Sequence, residues 1–69
     1  MKPELKPGKY RHYKGGEYEV QSLARHSESE AWMVVYKALS NDTLWVRPYD
    51  MFVEKVEVDG KEVKRFQCL

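Results

Sequence analysis

The Asp59-Gly60 pair near the end of the chain constrains the fold more than any other sequence feature. Asp-Gly is a preferred dipeptide in two-residue hairpin turns, because the central residues of a type I′ turn adopt positive φ. On both sides of the pair, over residues 52–58 and 61–66, apolar and charged residues are interspersed in segments predicted to be β-strands. A two-residue turn then sets the register of the hairpin. The predicted opposite pairs are Val58 and Lys61, Val56 and Val63, Glu57 and Glu62, Lys55 and Lys64, and Glu54 and Arg65.

Other short segments have the same character and are separated by turn-forming residues. Residues 17–25 alternate apolar and polar side chains, which is typical of a half-buried strand. The alternation is interrupted near Ser22, where a β-bulge would move Leu23 toward the core. Strands are also predicted at residues 10–13 and 44–47. The predicted turns are at residues 14–16 and 40–43, with a tight turn or a single 3₁₀ turn at residues 48–51.

The segment from Ser27 to Leu39 is compatible with two structures. Ser27 followed by Glu30 resembles a helix capping box. The residues from Trp32 to Tyr36 are instead rich in aromatic and β-branched side chains, which favour strands. A helix here would also be apolar on all sides in a chain too small to cover it. We therefore predict a strand, preceded by a polar loop.

A chain of 69 residues has room for one domain with a thin core. Five or six short antiparallel strands predict an all-β fold, and curling of the sheet would protect its edges. A partly closed SH3-like barrel is the natural candidate. Pro3, Pro7 and Gly8 interrupt the beginning of the chain, so residues 1–9 are predicted to be flexible and residues 10–69 to form the domain.

Charge and cysteine content narrow the functional classes. The 12 basic and 11 acidic side chains nearly cancel, which differs from a strongly basic nucleic-acid arm. Residues 1–14 nevertheless carry five basic side chains and only one acidic one, Glu4. Cys68 has no cysteine partner within the chain, and no apolar stretch is long enough for a signal peptide or a membrane span. We expect a cytoplasmic protein without membrane contact.

Aromatic, imidazole and cationic side chains gather near the predicted strand ends. Stacking surfaces beside cations are what a single-stranded nucleic acid or a nucleotide requires. Small barrels also fill their cores with aromatic residues, so ordinary packing explains the same composition. The candidate ligand-binding residues are Tyr10, His12, Tyr13, Lys14, Arg25, His26, Trp45 and Arg47.

The residues that could perform chemistry are few. His12 and His26 fall short of a structural zinc site, because no cysteine ligands accompany them. His26, Ser27 and Glu28 are adjacent in sequence, so their side chains cannot align as a hydrolase triad. No cofactor motif is present. We therefore expect neither catalysis nor a bound metal or cofactor.

Several segments together resemble a known family. They are Tyr10-Arg11-His12-Tyr13-Lys14-Gly15, Ala24-Arg25-His26-Ser27-Glu28, Val34-Val35-Tyr36, Leu44-Trp45-Val46-Arg47-Pro48 and Met51-Phe52. In this order they resemble the DUF1653 family of small bacterial proteins, over about residues 10–66. The resemblance implies a compact β-rich domain and brings no established activity.

Two functions remain open at this point. The first is a small binding module that recognises single-stranded RNA or DNA, or a nucleotide, through the aromatic and basic side chains. The second is a protein-interaction module that binds an extended peptide or associates with itself as a weak dimer. Binding that weakens with salt would favour the first function, and binding that is insensitive to salt would favour the second.

Overall fold

The computed structural model describes residues 2–69, which form seven antiparallel strands and one helical turn. The strands are β1 (Gly8–His12), β2 (Glu17–Arg25), β3 (Trp32–Ala38), β4 (Leu44–Pro48), β5 (Lys55–Val58), β6 (Lys61–Lys64) and β7 (Phe66–Cys68). The helical turn α1 (Tyr49–Phe52) lies between β4 and β5. Five strands form one sheet in the order β4-β3-β2-β1-β7, and β5 pairs with β6 in a second sheet. The all-β prediction is confirmed.

The predicted bulge in β2 is present. Val20 lies opposite Tyr36 and Ser22 lies opposite Val35, so Gln21 is the additional residue on β2. An additional residue on one strand changes the alternation of faces beyond it. Leu23 therefore packs against the core, as the sequence predicts.

The ambiguous segment from Ser27 to Leu39 forms a loop and a strand, and the capping-box helix is not formed. The Nδ1 atom of His26 accepts hydrogen bonds from the backbone N–H groups of Glu28 (3.1 Å) and Ser29 (3.3 Å). The backbone N–H of Glu30 also donates to the carbonyl oxygen of His26. These bonds close the loop, and β3 then places Val34 and Tyr36 in the core.

The core lies on one face of the five-stranded sheet, which we call the inner face. Its central residue is Phe52 of α1, which is 1% exposed. The Phe52 ring stacks on Phe66 of β7 at 4.1 Å and approaches Tyr10 of β1 edge-on at 5.6 Å. The sequence predicts a tight turn or a single 3₁₀ turn at residues 48–51. The helical turn is placed one residue later, and it carries Phe52 into the core rather than into a strand.

The C-terminal hairpin confirms the predicted register. Val58 pairs with Lys61 and Val56 with Val63, and Asp59 and Gly60 have φ values of 52° and 79°. Strand β6 then ends at Lys64, and β7 pairs with β1 instead of continuing the hairpin. This change of partner at Arg65 produces a seventh strand where five or six were expected.

The sheet is curled, but its backbone is not closed into a barrel within residues 2–69. Strands β4 and β7 are its edges and do not pair with each other. Their side chains nevertheless meet across the inner face, where the guanidinium carbon of Arg47 lies 5.7 Å from the Phe66 ring centroid. The backbone therefore forms an open sheet, and the expected partly closed barrel is not confirmed.

The first residues of the described chain pack against the sheet. Leu5 contacts the core, and the hydroxyl of Tyr10 donates a 2.6 Å hydrogen bond to the carbonyl oxygen of Lys6. Strand β1 begins at Gly8, two residues before the predicted strand. No helix within residues 2–69 has the length and apolar character needed to cross a membrane.

Candidate functional site

Aromatic rings cover one end of the inner face. Tyr18 of β2 contacts Tyr36 of β3 at 5.4 Å and Phe66 of β7 at 5.7 Å, with each pair of rings edge to face. His12 of β1 lies 4.9 Å from Phe66. This arrangement follows from strand alternation, which turns every second residue toward the same face. The rings form a rigid floor at the end of the sheet.

Arg47 extends over this floor from the β4 edge. Its Nε donates a 3.3 Å hydrogen bond to the hydroxyl of Tyr36, and its guanidinium lies over Phe66. The side chain is half-buried and held on two sides. A guanidinium fixed in this way loses little conformational entropy when it binds an anion.

His12 lies between the aromatic floor and a group of cations. Its Nδ1 accepts a 3.1 Å hydrogen bond from the backbone N–H of Lys14. The ring proton of neutral His12 is therefore on Nε2, which is a hydrogen-bond donor. Burial lowers the pKa of His12 below its ordinary value of 6.5, and the positive charges of Arg47, Arg65 and Lys14 lower it further.

Tyr13 and Lys14 extend the surface into the β1–β2 turn. The Tyr13 ring lies 4.6 Å from the His12 ring, and the Nζ of Lys14 is 5.8 Å from the Tyr13 ring centroid. Tyr13 is 39% exposed, so part of its ring is available for stacking.

Trp45 and Arg47 line a cleft on the other side of Tyr36. The cleft has a volume of about 290 Å³ and is also lined by Tyr18, Tyr36, Ala38, Ser40 and Asn41. Trp45 is 51% exposed, which leaves a large part of its indole accessible. The Oδ1 of Asn41 accepts a 3.1 Å hydrogen bond from the backbone N–H of Thr43, so its amide NH₂ remains able to donate.

These residues form one continuous group, which we call the aromatic/basic surface. It consists of His12, Tyr13, Lys14, Tyr18, Trp45 and Arg47, which lie over the buried rings of Tyr36 and Phe66. Five of the eight residues predicted from the sequence belong to it. They are His12, Tyr13, Lys14, Trp45 and Arg47.

Tyr10 was predicted to be a surface residue, and this prediction is wrong. Tyr10 is 5% exposed and belongs to the core beside Phe52. Its hydroxyl donates a hydrogen bond to the carbonyl oxygen of Lys6. Burial raises the pKa of Tyr10, and the neighbouring Cys68 raises it further. Phe52 packs edge-on against this ring, and Leu5 packs against the same core cluster.

Arg25 and His26 lie at the other end of β2, roughly 20 Å from Tyr18 at about 3.3 Å per residue. The Arg25 guanidinium lies 4.5 Å from the Trp32 ring centroid and 3.7 Å from a carboxylate oxygen of Glu30. His26 is bound to the backbone of its own loop. The structure therefore separates these two residues from the other predicted site residues.

Sequence reasoning did not include Tyr18, Tyr36, Asn41 or Phe66 in the site. Tyr18 and Tyr36 were assigned to strands whose inner faces form the core, and Phe66 to the last hairpin. Tyr36 and Phe66 are buried beneath the site, and Tyr18 is partly buried. No local sequence signal shows which buried rings will lie beneath Arg47. The order of strands in the sheet brings these residues together.

Two larger clefts lie elsewhere in the described chain. One, of about 390 Å³, is lined by residues that include Trp32, Tyr49 and Asp50. A larger groove of about 600 Å³ lies between residues 2–7 and residues 20–23, and it has no aromatic lining. Within residues 2–69, no cluster of three histidine, cysteine or acidic side chains could hold a metal ion.

Comparisons with known proteins identify the family. A family model described as "Protein of unknown function (DUF1653)" matches residues 8–68. A crystal structure of a DUF1653 protein from Bordetella bronchiseptica is 32% identical in sequence and superposes with a TM-score of 0.88. The match covers 96% of this chain and 88% of that chain. A search of characterised proteins found no match. The chain therefore belongs to the DUF1653 family, as the sequence resemblance predicted.

Proposed function

We propose that this protein is a small binding module that recognises single-stranded nucleic acid, or a nucleotide, through the aromatic/basic surface. The observation that carries the proposal is the combination of an exposed indole, that of Trp45, with a fixed guanidinium, that of Arg47, beside the same cleft. Bases stack on exposed aromatic rings with little dependence on sequence, and nearby cations contact the phosphate backbone. No catalytic step and no cofactor are part of the proposal.

Two further expectations belong to the same proposal. The curled sheet, with side chains from both edges in contact, would act as an SH3-like platform, although its strands form an open sheet. A cytoplasmic location would suit the exposed free thiol of Cys68, because unpaired thiols persist in reducing compartments.

Titration of ¹⁵N-labelled protein with decauridine tests the proposal by NMR. We expect chemical-shift changes at Tyr13, Lys14, Trp45 and Arg47, with an affinity that falls as salt increases from about 50 to about 500 mM. Trp45→Ala should weaken binding, because it removes the stacking ring. Trp32→Ala is the matched control, since Trp32 lies away from this surface beside Arg25. Absence of shift changes at the highest oligonucleotide concentration would refute recognition of single-stranded nucleic acid.

A second candidate function is binding to an extended strand of another chain, including a second copy of this protein. Strand β4 is an edge of the sheet, and its consecutive residues Leu44, Trp45 and Val46 are 63%, 51% and 61% exposed. Edge strands of monomeric proteins usually avoid such exposed apolar side chains. Backbone pairing along β4 would cover them.

Sedimentation equilibrium distinguishes this candidate when it is measured at low and high salt. Association through β4 should persist at about 500 mM salt, because apolar contacts and backbone hydrogen bonds are screened little. Val46→Lys should abolish association, and Val53→Lys serves as a control at an exposed valine outside β4. A monomer at all concentrations would leave self-association without support.

A further inference from the structure

Arg47 differs from every other arginine in this chain. The chain has four arginines, and three of them pair with a carboxylate. The nitrogen–oxygen distances are 3.1 Å for Arg11 with Glu17, 3.7 Å for Arg25 with Glu30 and 2.7 Å for Arg65 with Glu54. Arg47 has no carboxylate within 4 Å among residues 2–69, although it is more buried than Arg11 or Arg25. A half-buried charge without a counter-ion favours the binding of an anion.

His12 is also surrounded by positively charged side chains. The charges that most affect it are those of Arg47, Arg65 and Lys14, and all three are positive. The carboxylate of Glu54, the partner of Arg65, is already bound to that arginine. Because Nδ1 of His12 accepts the hydrogen bond from Lys14, its Nε2–H can donate even when the imidazole is neutral. The end of the sheet thus holds donors and positive charge for one anionic group.

The shape of an anion that fits can be inferred from Arg47. Its Nε is bound to the hydroxyl of Tyr36, so the terminal Nη atoms carry the donors that remain. Such a planar pair of donors matches two oxygens of a phosphate group. The cleft beside Trp45 is lined by the same arginine and is large enough for a planar ring. The Asn41 amide can donate a hydrogen bond to the edge of such a ring.

We propose that Arg47, Lys14 and His12 bind the phosphate of a nucleotide whose base stacks on Trp45 in the adjoining cleft. Because this rests on the proposed function, it specifies which part of a nucleic acid each side of the surface contacts. A terminal phosphate monoester and an internal phosphodiester share the chemistry required, and the ligands of the test distinguish them.

The test is an NMR titration with three ligands: inorganic phosphate, uridine and uridine 5′-monophosphate. Phosphate should shift the signals of His12, Lys14 and the Arg47 side chain, and uridine should shift the Trp45 indole. The monophosphate should shift both sets and bind more tightly than either fragment, because linking two fragments favours the second contact. Decauridine, with internal diesters, shows whether a diester replaces the terminal phosphate.

The decisive variants are Arg47→Met and Arg11→Met, which each remove one positive charge. We expect Arg47→Met to weaken binding of the monophosphate by about tenfold or more, the effect of losing a charge-assisted hydrogen-bonded pair. Arg11→Met should change it by less than about twofold, because Arg11 is paired with Glu17 and lies outside the surface. If Arg47→Met does not fold, Arg47→Lys keeps the charge but loses the planar pair of donors and should still weaken binding.

The possible failures are distinguishable. Equal weakening by both arginine variants, or no response of His12, Lys14 and Arg47 to phosphate or monophosphate, would overturn this inference. If decauridine then bound with shifts at Arg25 and Trp32, nucleic-acid recognition would survive at a different site. Binding of the monophosphate without any binding of decauridine would instead support the phosphate site and restrict the proposed function to nucleotides.

Discussion

At the scale of single residues, similar side chains have different roles because their burial differs. Tyr10, Tyr18 and Tyr36 all lie on the inner face, but Tyr10 and Tyr36 are buried in the core and Tyr18 is only partly buried. Trp45 on the edge strand remains half exposed. In so small a sheet, residue type alone therefore does not show whether an aromatic side chain belongs to the core or to a binding surface.

The titration of His12 follows from its position among cations. We expect NMR titration of the His12 ring to give a pKa below 6.5, because burial and the nearby charges disfavour the imidazolium. Arg47→Met should raise this pKa, since it removes one of those charges. A His12 pKa at or above the ordinary value would contradict the described surroundings.

The same shift has a consequence for stability. The unfolded chain binds a proton at His12 more readily than the folded chain, so folding is favoured when the imidazole is neutral. The contribution of His12 is present above pH 6.5 and is lost as the pH falls below 6.5 toward the lower pKa of the folded state. Thermal unfolding of the wild type and His12→Asn as a function of pH would therefore show a smaller loss on acidification in the variant.

Truncation of two large aromatic residues should separate surface from core. Trp45→Ala should reduce the free energy of unfolding by less than about 1 kcal/mol, because its ring is half exposed. Phe52→Ala should cost about 3–5 kcal/mol, since Phe52 is almost fully buried at the centre of the aromatic cluster. Urea denaturation measures both, and similar losses for the two variants would show that Trp45 is part of the core.

At the scale of elements, local sequence determines the hairpins. The Asp59-Gly60 turn has the positive φ values that its residue types favour, and the register follows from it. The choice of strand over helix for Trp32–Ala38 was predictable from β-branched and aromatic residues. The separation of β7 from β6 was not predictable in this way, because it depends on the pairing of β7 with β1, more than fifty residues earlier in the chain.

Gly60 provides a test of the last hairpin. Gly60→Val should lower the free energy of unfolding by about 1–2 kcal/mol or more, because a β-branched residue at a φ of 79° is strained. Gly60→Asn is the matched control, since asparagine tolerates positive φ. Circular-dichroism melting curves would show the difference, and an unchanged melting temperature for the valine variant would exclude this turn geometry.

At the scale of the whole molecule, the first residues of the chain complete the core. Leu5 packs against the buried cluster, and the hydroxyl of Tyr49 donates a hydrogen bond to the carbonyl oxygen of Glu4. A domain of this size buries little apolar surface, so one additional leucine is a substantial part of its stability. The flexibility predicted for residues 1–9 remains a prediction.

Substitution of Leu5 measures this contribution. Leu5→Ala should lower the free energy of unfolding by about 1–2 kcal/mol, because part of its side chain is withdrawn from water. Leu44→Ala is the control, since Leu44 is 63% exposed and should change stability by less than about 0.5 kcal/mol. Equal effects in urea denaturation would mean that the first residues do not pack as described.

Local sequence was enough to predict the all-β class and the positions of the hairpins, because turn residues and side-chain alternation act over a few residues. It also named five residues that the structure places in the aromatic/basic surface. Tertiary structure decided which rings are covered, which arginine has no carboxylate partner and which distant strands become neighbours. Those outcomes depend on the strand order β4-β3-β2-β1-β7 and on the curl that brings Arg47 over Phe66. Contacts between residues far apart in sequence have no local signature, so only the folded sheet specifies them.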